Sequence, residues 1–420
     1  MKRHTLLILF LPFFLFAFAA NSQSAVVKIM TWNLLNYPDY TNVSSDTALR
    51  NPYYRTVVQY VNPDILVTQE NATNSSVSLF LSGVMNVGGS NQYNSGTYIN
   101  GYDTNNGIFY RAADFQFVSN TVIATDLRDI NAFKLVHILT GDTILIYSCH
   151  LKSSYGPPND TQRASEVDSL RKVTNVLSSG TDFIVCGDFN IYNSFEGAYI
   201  KLLQNNIADD GNFIDIYSMP GTWNQLMYSN YHTQSTRLTN FGGGASGGMN
   251  DRFDMILYST AVSQPGKVTY VSGSMTPVGN DGLHYNQSIN VMPNTTVPQN
   301  VANALYNVSD HLPVTANFEF SSTTNLTELS QNSSSINIFP DPAVEDIFIQ
   351  FYSRSTGLLH ISIYNILGNT VKEFDDEKKE IGYFEKNITD LITLQPGVYL
   401  IRLSIRDQVI SKRFVIASHL

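Results

Sequence analysis

Charge is what this 420-residue chain has least of. Asp, Glu, Lys and Arg make up 14% of it, against roughly a quarter in an average soluble protein. The deficit excludes a coiled coil and a charged disordered chain. Basic residues are the scarcer sign, 25 Lys and Arg against 35 Asp and Glu. That excludes a polybasic nucleic-acid coat and leaves room only for a local cationic or metal site. Two cysteines cannot build a disulfide framework. Cys149 and Cys186 lie in apolar, strand-like runs and read as buried thiols, with a bridge between them as the alternative. A single long apolar run excludes a polytopic membrane protein.

That run, residues 6–20, follows Lys2, Arg3 and His4 and ends in Ala17-Phe18-Ala19. A basic start, a short apolar stretch and a small-x-small site describe a secretory signal peptide. Residues 1–22 are therefore read as a leader, and the mature protein as exported, with no membrane span left after processing.

What is abundant is apolar and aromatic: 43% hydrophobic and 12% Phe, Trp and Tyr, enough for a large core. From residue 23 to 320 short Val/Ile/Leu runs (26–30, 64–68, 143–148, 182–186) alternate with a few helices. Residues 161–177 predict a helix, with Ala164, Val167, Leu170, Val173 and Leu177 on one face and Asn159 or Asp160 as its cap. Further helices are predicted near 55–61 and 195–203. Arg163, on the 161–177 helix, reads as a surface salt-bridge residue, with a reach to the rim as the alternative. Residues 321–335 (SSTTNLTELSQNSSS) form a polar linker. Residues 336–420 show strand runs at 347–351, 358–364, 398–405 and 409–416 and no helical period, predicting a small all-β sandwich.

The tail resembles the C-terminal sorting domain of the type IX secretion system of Bacteroidetes. The matching text is Asn337-Ile338-Phe339-Pro340-Asp341-Pro342, Ile363-Tyr364-Asn365-Ile366-Leu367-Gly368 and Leu394-Gln395-Pro396-Gly397-Val398-Tyr399. Asp341 stands where the first motif usually has Asn. The resemblance implies the type IX machinery as a partner, passage across inner and outer membranes, and a secreted or cell-surface protein.

In residues 23–320 the apolar runs are interrupted by polar groups in a recurrent way. Runs end in Trp32-Asn33, in Gln69-Glu70, in His150, and in Asp188 with Asn190; two others begin at Asp254 and at Asp310-His311. Each alone is an ordinary strand terminator. With antiparallel neighbours, all of them can gather at one rim of a sandwich. Carboxylates and carboxamides are hard oxygen ligands that suit Mg²⁺, Mn²⁺ or Ca²⁺. No HExxH, phosphate loop or serine elbow is present. The economical chemistry is metal-assisted attack of water on phosphorus.

In this order, Trp32-Asn33, Gln69-Glu70, His150-Leu151-Lys152-Ser153, Gly187-Asp188-Phe189-Asn190, Arg252-Phe253-Asp254 and Ser309-Asp310-His311 resemble the endonuclease/exonuclease/phosphatase superfamily. The resemblance implies an α/β (α+β) fold, a four-layer α/β sandwich of two packed mixed β-sheets with helices outside. It implies Glu70, Asn33 and Asp310 at the metal, for which Mg²⁺ is expected, and Asp188 on the attacking water. It also implies Asn190 and His150 on phosphate oxygens, and His311 at the scissile phosphate with its tautomer held by Asp254. In secreted deoxyribonucleases a Glu supports the imidazole that matches His150; here the text is Asp103-Thr104-Asn105-Asn106-Gly107, with no Glu. The expected activity is a monomeric phosphodiesterase or nuclease acting on extracellular nucleic acid. The alternatives are a phosphomonoesterase, a sphingomyelinase-like phospholipid hydrolase, or an idle cell-surface binding protein. Residues 221–248 and 286–307 read as Asn- and aromatic-rich loops, the first able to stack on bases or simply to cover the core.

Overall fold

The computed structural model describes residues 23–38, 47–87, 92–206, 209–240, 242–322, 336–353, 356–406 and 408–417. The predicted leader lies outside these residues, as do residues 323–335 of the predicted linker. The chain divides into two compact units, one ending at Ser322 and one beginning at Thr323.

In the first unit the chain lays down β1 (Ser24–Tyr37), β2 (Ile65–Asn71), β3 (Tyr93–Ser95) and β4 (Asn105–Arg111) in one sheet. It then builds a second from β5 (Phe115–Ile123), β6 (Ile130–His137), β7 (Thr143–His150), β8 (Phe183–Asp188), β9 (Phe213–Ile214) and β10 (Asp254–Ser259). It returns to the first with β11 (Val268–Tyr270), β12 (Thr276–Pro277) and β13 (Val314–Ser321). Both sheets are mixed: β1–β2 and β7–β8 are parallel, and β1–β13, β2–β4 and β8–β10 antiparallel.

Alternation along each strand sends one set of side chains into the gap between the sheets and the other outward. Ile29, Ile65 and Val67 meet Ile146, Ile184 and Ile256 in the middle layer. Outward residues Met30, Trp32, Leu66 and Phe109 pack under α1 (Thr47–Val61) and α5 (Gln299–Val308), with the short α2 (Ser76–Phe80) beside them. On the far side Tyr147, Val185 and Leu257 pack under α3 (Pro157–Thr174) and α4 (Gly197–Leu203). The result is the expected four-layer α/β sandwich. Cys149 belongs to the outer layer and Cys186 to the middle one, on opposite faces of the second sheet. Both are buried free thiols, so the bridge alternative falls.

Several boundaries differ from the sequence reading. Helix α3 starts earlier, with Gly156 as its cap and Pro157-Pro158 opening its first turn; proline is pre-organised there and gives up no hydrogen bond. Asn159 and Asp160 are therefore inside the helix. Part of the predicted 286–307 loop is α5, which buries Val301, Ala302, Ala304, Leu305 and Val308. Arg163 is fully buried, not on the surface, and spans Glu196, Asp160 and the carbonyls of Lys152 and Ser154. Strand β13 runs through Ser321, where the linker was expected to begin, and Ser322 exchanges hydrogen bonds with Gln23.

The second unit is all β. One sheet holds β14 (Asn337–Phe339), β15 (Ile347–Ser353) and β18 (Gly382–Ile388); the other holds β16 (Gly357–Asn365), β17 (Thr370–Lys379), β19 (Gly397–Ile405) and β20 (Gln408–Ile416). Ile347, Ile349, Ile361, Ile363, Ile401, Leu403 and Phe414 form its core. Strands β17 and β18 were not foreseen, because alternating charges hide a strand that buries little of either face.

Candidate active site

The polar interruptions do converge. The strands run into the motifs: Asn33 lies within β1, Glu70 within β2, and His150 and Asp188 end β7 and β8. Sheet register then places them. Asn33 pairs with Gln69, His150 with Asp188, and Asp188 with Asp254 across an antiparallel step. Gly187 (φ 138°) makes that pairing feasible, because a Cβ there would fall 2.0 Å from the Cys149 carbonyl oxygen.

Asn33 is the hub. Its Nδ2 donates to Glu70 Oε1 and to Asp188 Oδ2, each at 3.0 Å, while its oxygen accepts the Leu35 N–H. In this arrangement Asn33 fastens two carboxylates together and turns its own oxygen away from them. The Asn36 N–H donates to Glu70 Oε2 at 2.8 Å. Glu70 itself sits at φ 58°, a left-handed conformation that is costly for a long side chain and concentrates at functional sites.

His311 stands opposite. Its Nδ1 is 2.7 Å from Asp254 Oδ2, and its Nε2 is 3.6 Å from Asp188 Oδ2. Thr233 Oγ1 accepts the backbone N–H groups of Phe253 and Asp254, holding that carboxylate in place. Trp32 Nε1 donates to the His311 carbonyl, and Ser309 Oγ joins the Asn33 carbonyl to the His311 N–H. His150 Nε2 completes the ring, 3.4 Å from Asp188 Oδ2 and 3.8 Å from Glu70 Oε1. Asn190, in a left-handed turn (φ 51°), donates from its backbone to Asp188 Oδ1 and from Nδ2 to the Leu151 carbonyl.

Sequence reasoning missed Gln234. Its Nε2 lies 2.6 Å from His311 Nε2 and donates to Asp310 Oδ2 at 3.1 Å. Ala245 N–H donates to the same Asp310 oxygen at 2.6 Å. Gly244 (φ 81°) packs so closely on this carboxylate that a Cβ would come 2.7 Å from Asp310 Cγ. The segment read as a covering loop is thus a strap around Ser309-Asp310-His311, and nothing local to Gln234 in the sequence announces that.

Burial raises the pKa of Glu70, Asp188 and Asp254. Glu70 is raised by burial and by Asp310, and Asp254 by burial against the opposing pull of His311. Asp188 is pushed up to about 6, chiefly by burial and partly by Asp254. Burial opposes a charged His311, but Asp254, Asp188 and Asp310 together outweigh it and hold the imidazole well above its usual pKa. His150 goes the other way: burial, Arg128 and His311 hold it well below, as a neutral ring. Arg128 braces that strand end from the carbonyls of His150 and Leu151. His150 Nδ1 is buried with no partner among the described residues, where a deoxyribonuclease would have its Glu. Asn106 instead binds Ser148 and Asn131.

The donor set fits a hard divalent cation. Three acidic side chains converge, Glu70 and Asp188 through Asn33 and Asp310 through their fields, and Asp310 Oδ1 is buried without a hydrogen bond. Like charges confined this way are stabilised by a cation of opposite sign. Among the described residues no three such groups are already closed to coordination distance.

Residues 30–311 match the endonuclease/exonuclease/phosphatase family, and the chain belongs to that family. Residues 337–417 match the secretion system C-terminal sorting domain. The protein is therefore a phosphoesterase of the hydrolase class carrying a type IX sorting tail, secreted or held at the cell surface. No helix among the described residues is long and apolar enough to cross a membrane. No curated protein matches the chain. Solved structures are similar to the chain at low identity. TDP2 of D. rerio with a single-strand DNA product is 18% identical, with 70% of this chain and 99% of that chain covered and a TM-score of 0.45. The human Nocturnin catalytic domain is 17% identical, with 71% and 97% covered and a TM-score of 0.46. The mannosyl-6-phosphatase Bt3783 of Bacteroides thetaiotaomicron is 15% identical, with 70% and 99% covered and a TM-score of 0.43.

Proposed function

We propose that the protein is an exported, divalent-cation-dependent phosphohydrolase that acts on small phosphate esters by in-line attack of water. The observation that carries this reading is the continuous chain Glu70–Asn33–Asp188, with His150 and the Asp254-supported His311 facing it within 4 Å. Asp188, with a pKa of about 6, is poised to take the proton of an attacking water near neutral pH. The water oxygen bonds to phosphorus as the ester P–O bond breaks, and the departing alkoxide acquires a proton to leave as the alcohol. His311, charged at its Nε2 edge, and neutral His150 stabilise the charge that grows on phosphoryl oxygens, and Asn190 is set beside them. Glu70 and Asp310 would hold the cation, which when bound would supply Lewis-acid polarisation of the phosphate.

Nucleic acid as substrate meets an electrostatic obstacle. Residues 23–322 contain 14 Lys and Arg against 23 Asp and Glu, a net of −9. Around the site Arg128, Arg163 and Arg252 are committed to carbonyls and carboxylates. A polyanion is held by several free cations along its backbone, whereas one phosphate group needs only the site itself. An idle binding role is disfavoured, because the whole acidic and imidazole set is assembled.

The test is hydrolysis of p-nitrophenyl phosphate, bis(p-nitrophenyl) phosphate and plasmid DNA by the full chain with Mg²⁺ or Mn²⁺. Turnover of a small ester, lost by at least about 10³-fold in Asp188→Ala and His311→Ala, is the expected result. No metal-stimulated turnover of any of the three, or full activity in both variants, removes the assignment.

A further inference from the structure

Asp251 is a carboxylate that the mechanism above does not use. It lies just before Arg252-Phe253-Asp254, and Gln234 pairs with it in an antiparallel bridge through reciprocal backbone hydrogen bonds of 3.1 and 2.9 Å. Gln234 also bridges antiparallel to His311. Directly paired residues on antiparallel segments project to the same face, about 5 Å apart. Asp251, Gln234 and His311 therefore form a row on the catalytic face. The outer carboxylate is about 10 Å from the imidazole by that spacing, the reach of a hexose attached to a phosphate.

Tyr192 stands next to this row. It follows Asn190 by two positions, and Asp251 is the main charge acting on its hydroxyl. One face of its ring is covered by the Arg163 guanidinium, 5.4 Å from the centroid. Exposed Tyr155 meets it edge-on at 5.3 Å, and Phe253 does so at 4.8 Å. With a guanidinium already over one face, Tyr192 offers no box for a quaternary ammonium. Its hydroxyl makes no hydrogen bond among the described residues. Asp251 is half-buried, its pKa is pushed up to about 6 by burial, and no Lys, Arg or His among the described residues pairs with it.

We propose that Asp251 and the Tyr192 hydroxyl form a subsite for the hydroxyl groups of a sugar or polyol esterified to the phosphate, and so set specificity for hexose phosphates. A half-buried carboxylate accepts two hydroxyl donors at once, and a phenol adds one donor and one acceptor. A hydroxylated leaving group satisfies both; an apolar one leaves Asp251 desolvated with the Asn250 amide, 3.2 Å from its Oδ2, as its side-chain partner. The inference rests on the phosphohydrolase reading above.

The experiment compares two kinds of primary alkyl phosphate on the full chain with Mg²⁺: hexose 6-phosphates (glucose, mannose, galactose) and cyclohexylmethyl phosphate, which has the ring and no hydroxyls. p-Nitrophenyl phosphate serves as the activity control. At least one hexose phosphate should exceed cyclohexylmethyl phosphate in kcat/KM by about tenfold or more. Asp251→Ala and Asp251→Asn should erase most of that preference through KM and Tyr192→Phe part of it, with p-nitrophenyl phosphate turnover within about twofold. Where Asp251→Ala does not fold, Asp251→Asn and Tyr192→Phe carry the comparison. A wild-type enzyme that turns over p-nitrophenyl phosphate but shows no hexose preference overturns the subsite and leaves the phosphohydrolase standing. So does a preference that survives in the variants. A wild-type enzyme inactive on every ester removes both.

Discussion

Replacing Asp254 by Asn changes one charge in the candidate cluster and almost no volume. In the native site Asp254 Oδ2 holds His311 Nδ1 at 2.7 Å, and Thr233 fixes the backbone beneath it. Asp254 is the foremost of three carboxylates that keep His311 charged. With Asn, that field falls, and the amide NH₂ facing Nδ1 can select the wrong tautomer. Positioned charge of this kind is worth about 10³ in turnover, or about 4 kcal/mol of transition-state stabilisation. The fold should suffer little, because burial already makes the charged form of Asp254 expensive and the imidazole, unlike the guanidinium of Arg252, can release its proton once its partner is neutral. Steady-state kinetics on p-nitrophenyl phosphate, beside a thermal melt, read both quantities. The expected pattern is a kcat lowered about 10³-fold with an unchanged or higher Tm and an unaltered Mg²⁺ activation curve. A kcat within tenfold of wild type would mean that His311 does not act through Asp254, and the assignment of the imidazole would be withdrawn.

Other consequences follow from the same geometry. Glu70→Gln should raise the Mg²⁺ concentration for half-maximal activity by more than about tenfold, read by metal titration of activity. Gly244→Ala forces a Cβ against the Asp310 carboxylate in a backbone conformation with φ 81°; activity should fall at least about tenfold, while far-ultraviolet circular dichroism stays native. Asp215→Asn breaks a fully buried bidentate pair with Arg252 (2.7 and 2.9 Å), stacked between Tyr217 and Trp223; denaturant unfolding should show a loss of about 3–5 kcal/mol. Asp182 is raised to about 7 by burial, with Asp142 adding to it and Lys267 opposing. A carboxyl whose folded pKa is above its unfolded one costs stability as pH rises from about 4 through 7. Asp182→Asn should therefore match wild type near pH 4 and be more stable at pH 8, by about 1–2 kcal/mol after solvent screening; equal stability at both pH values would contradict the burial argument.

The polar rim was legible because strands announce themselves by short apolar runs, and polar residues at the end of each run stand out. Asn33, Glu70, His150 and Asp188 were found that way, and register did the rest. Gln234 was not, because its contacts are made 76 and 77 positions away and its own neighbourhood reads as loop. Helix α5 was hidden by the Asn-rich text around Val301, Leu305 and Val308. Arg163 looked exposed because a charge on a helix usually is; only the packing of Glu196 and two carbonyls around it makes burial tolerable. Strands β17 and β18 carry charges on both faces, so the alternation that revealed β19 was absent.

The account stands on acidic groups gathered about one cation opposite a charged imidazole. Anomalous diffraction at the manganese edge, on crystals of the full chain soaked in Mn²⁺, tests it most directly. The predicted result is a peak within bonding distance of the Glu70 carboxylate, on the side facing Asp188 and His311. A well-ordered site with no peak there at saturating Mn²⁺ contradicts it.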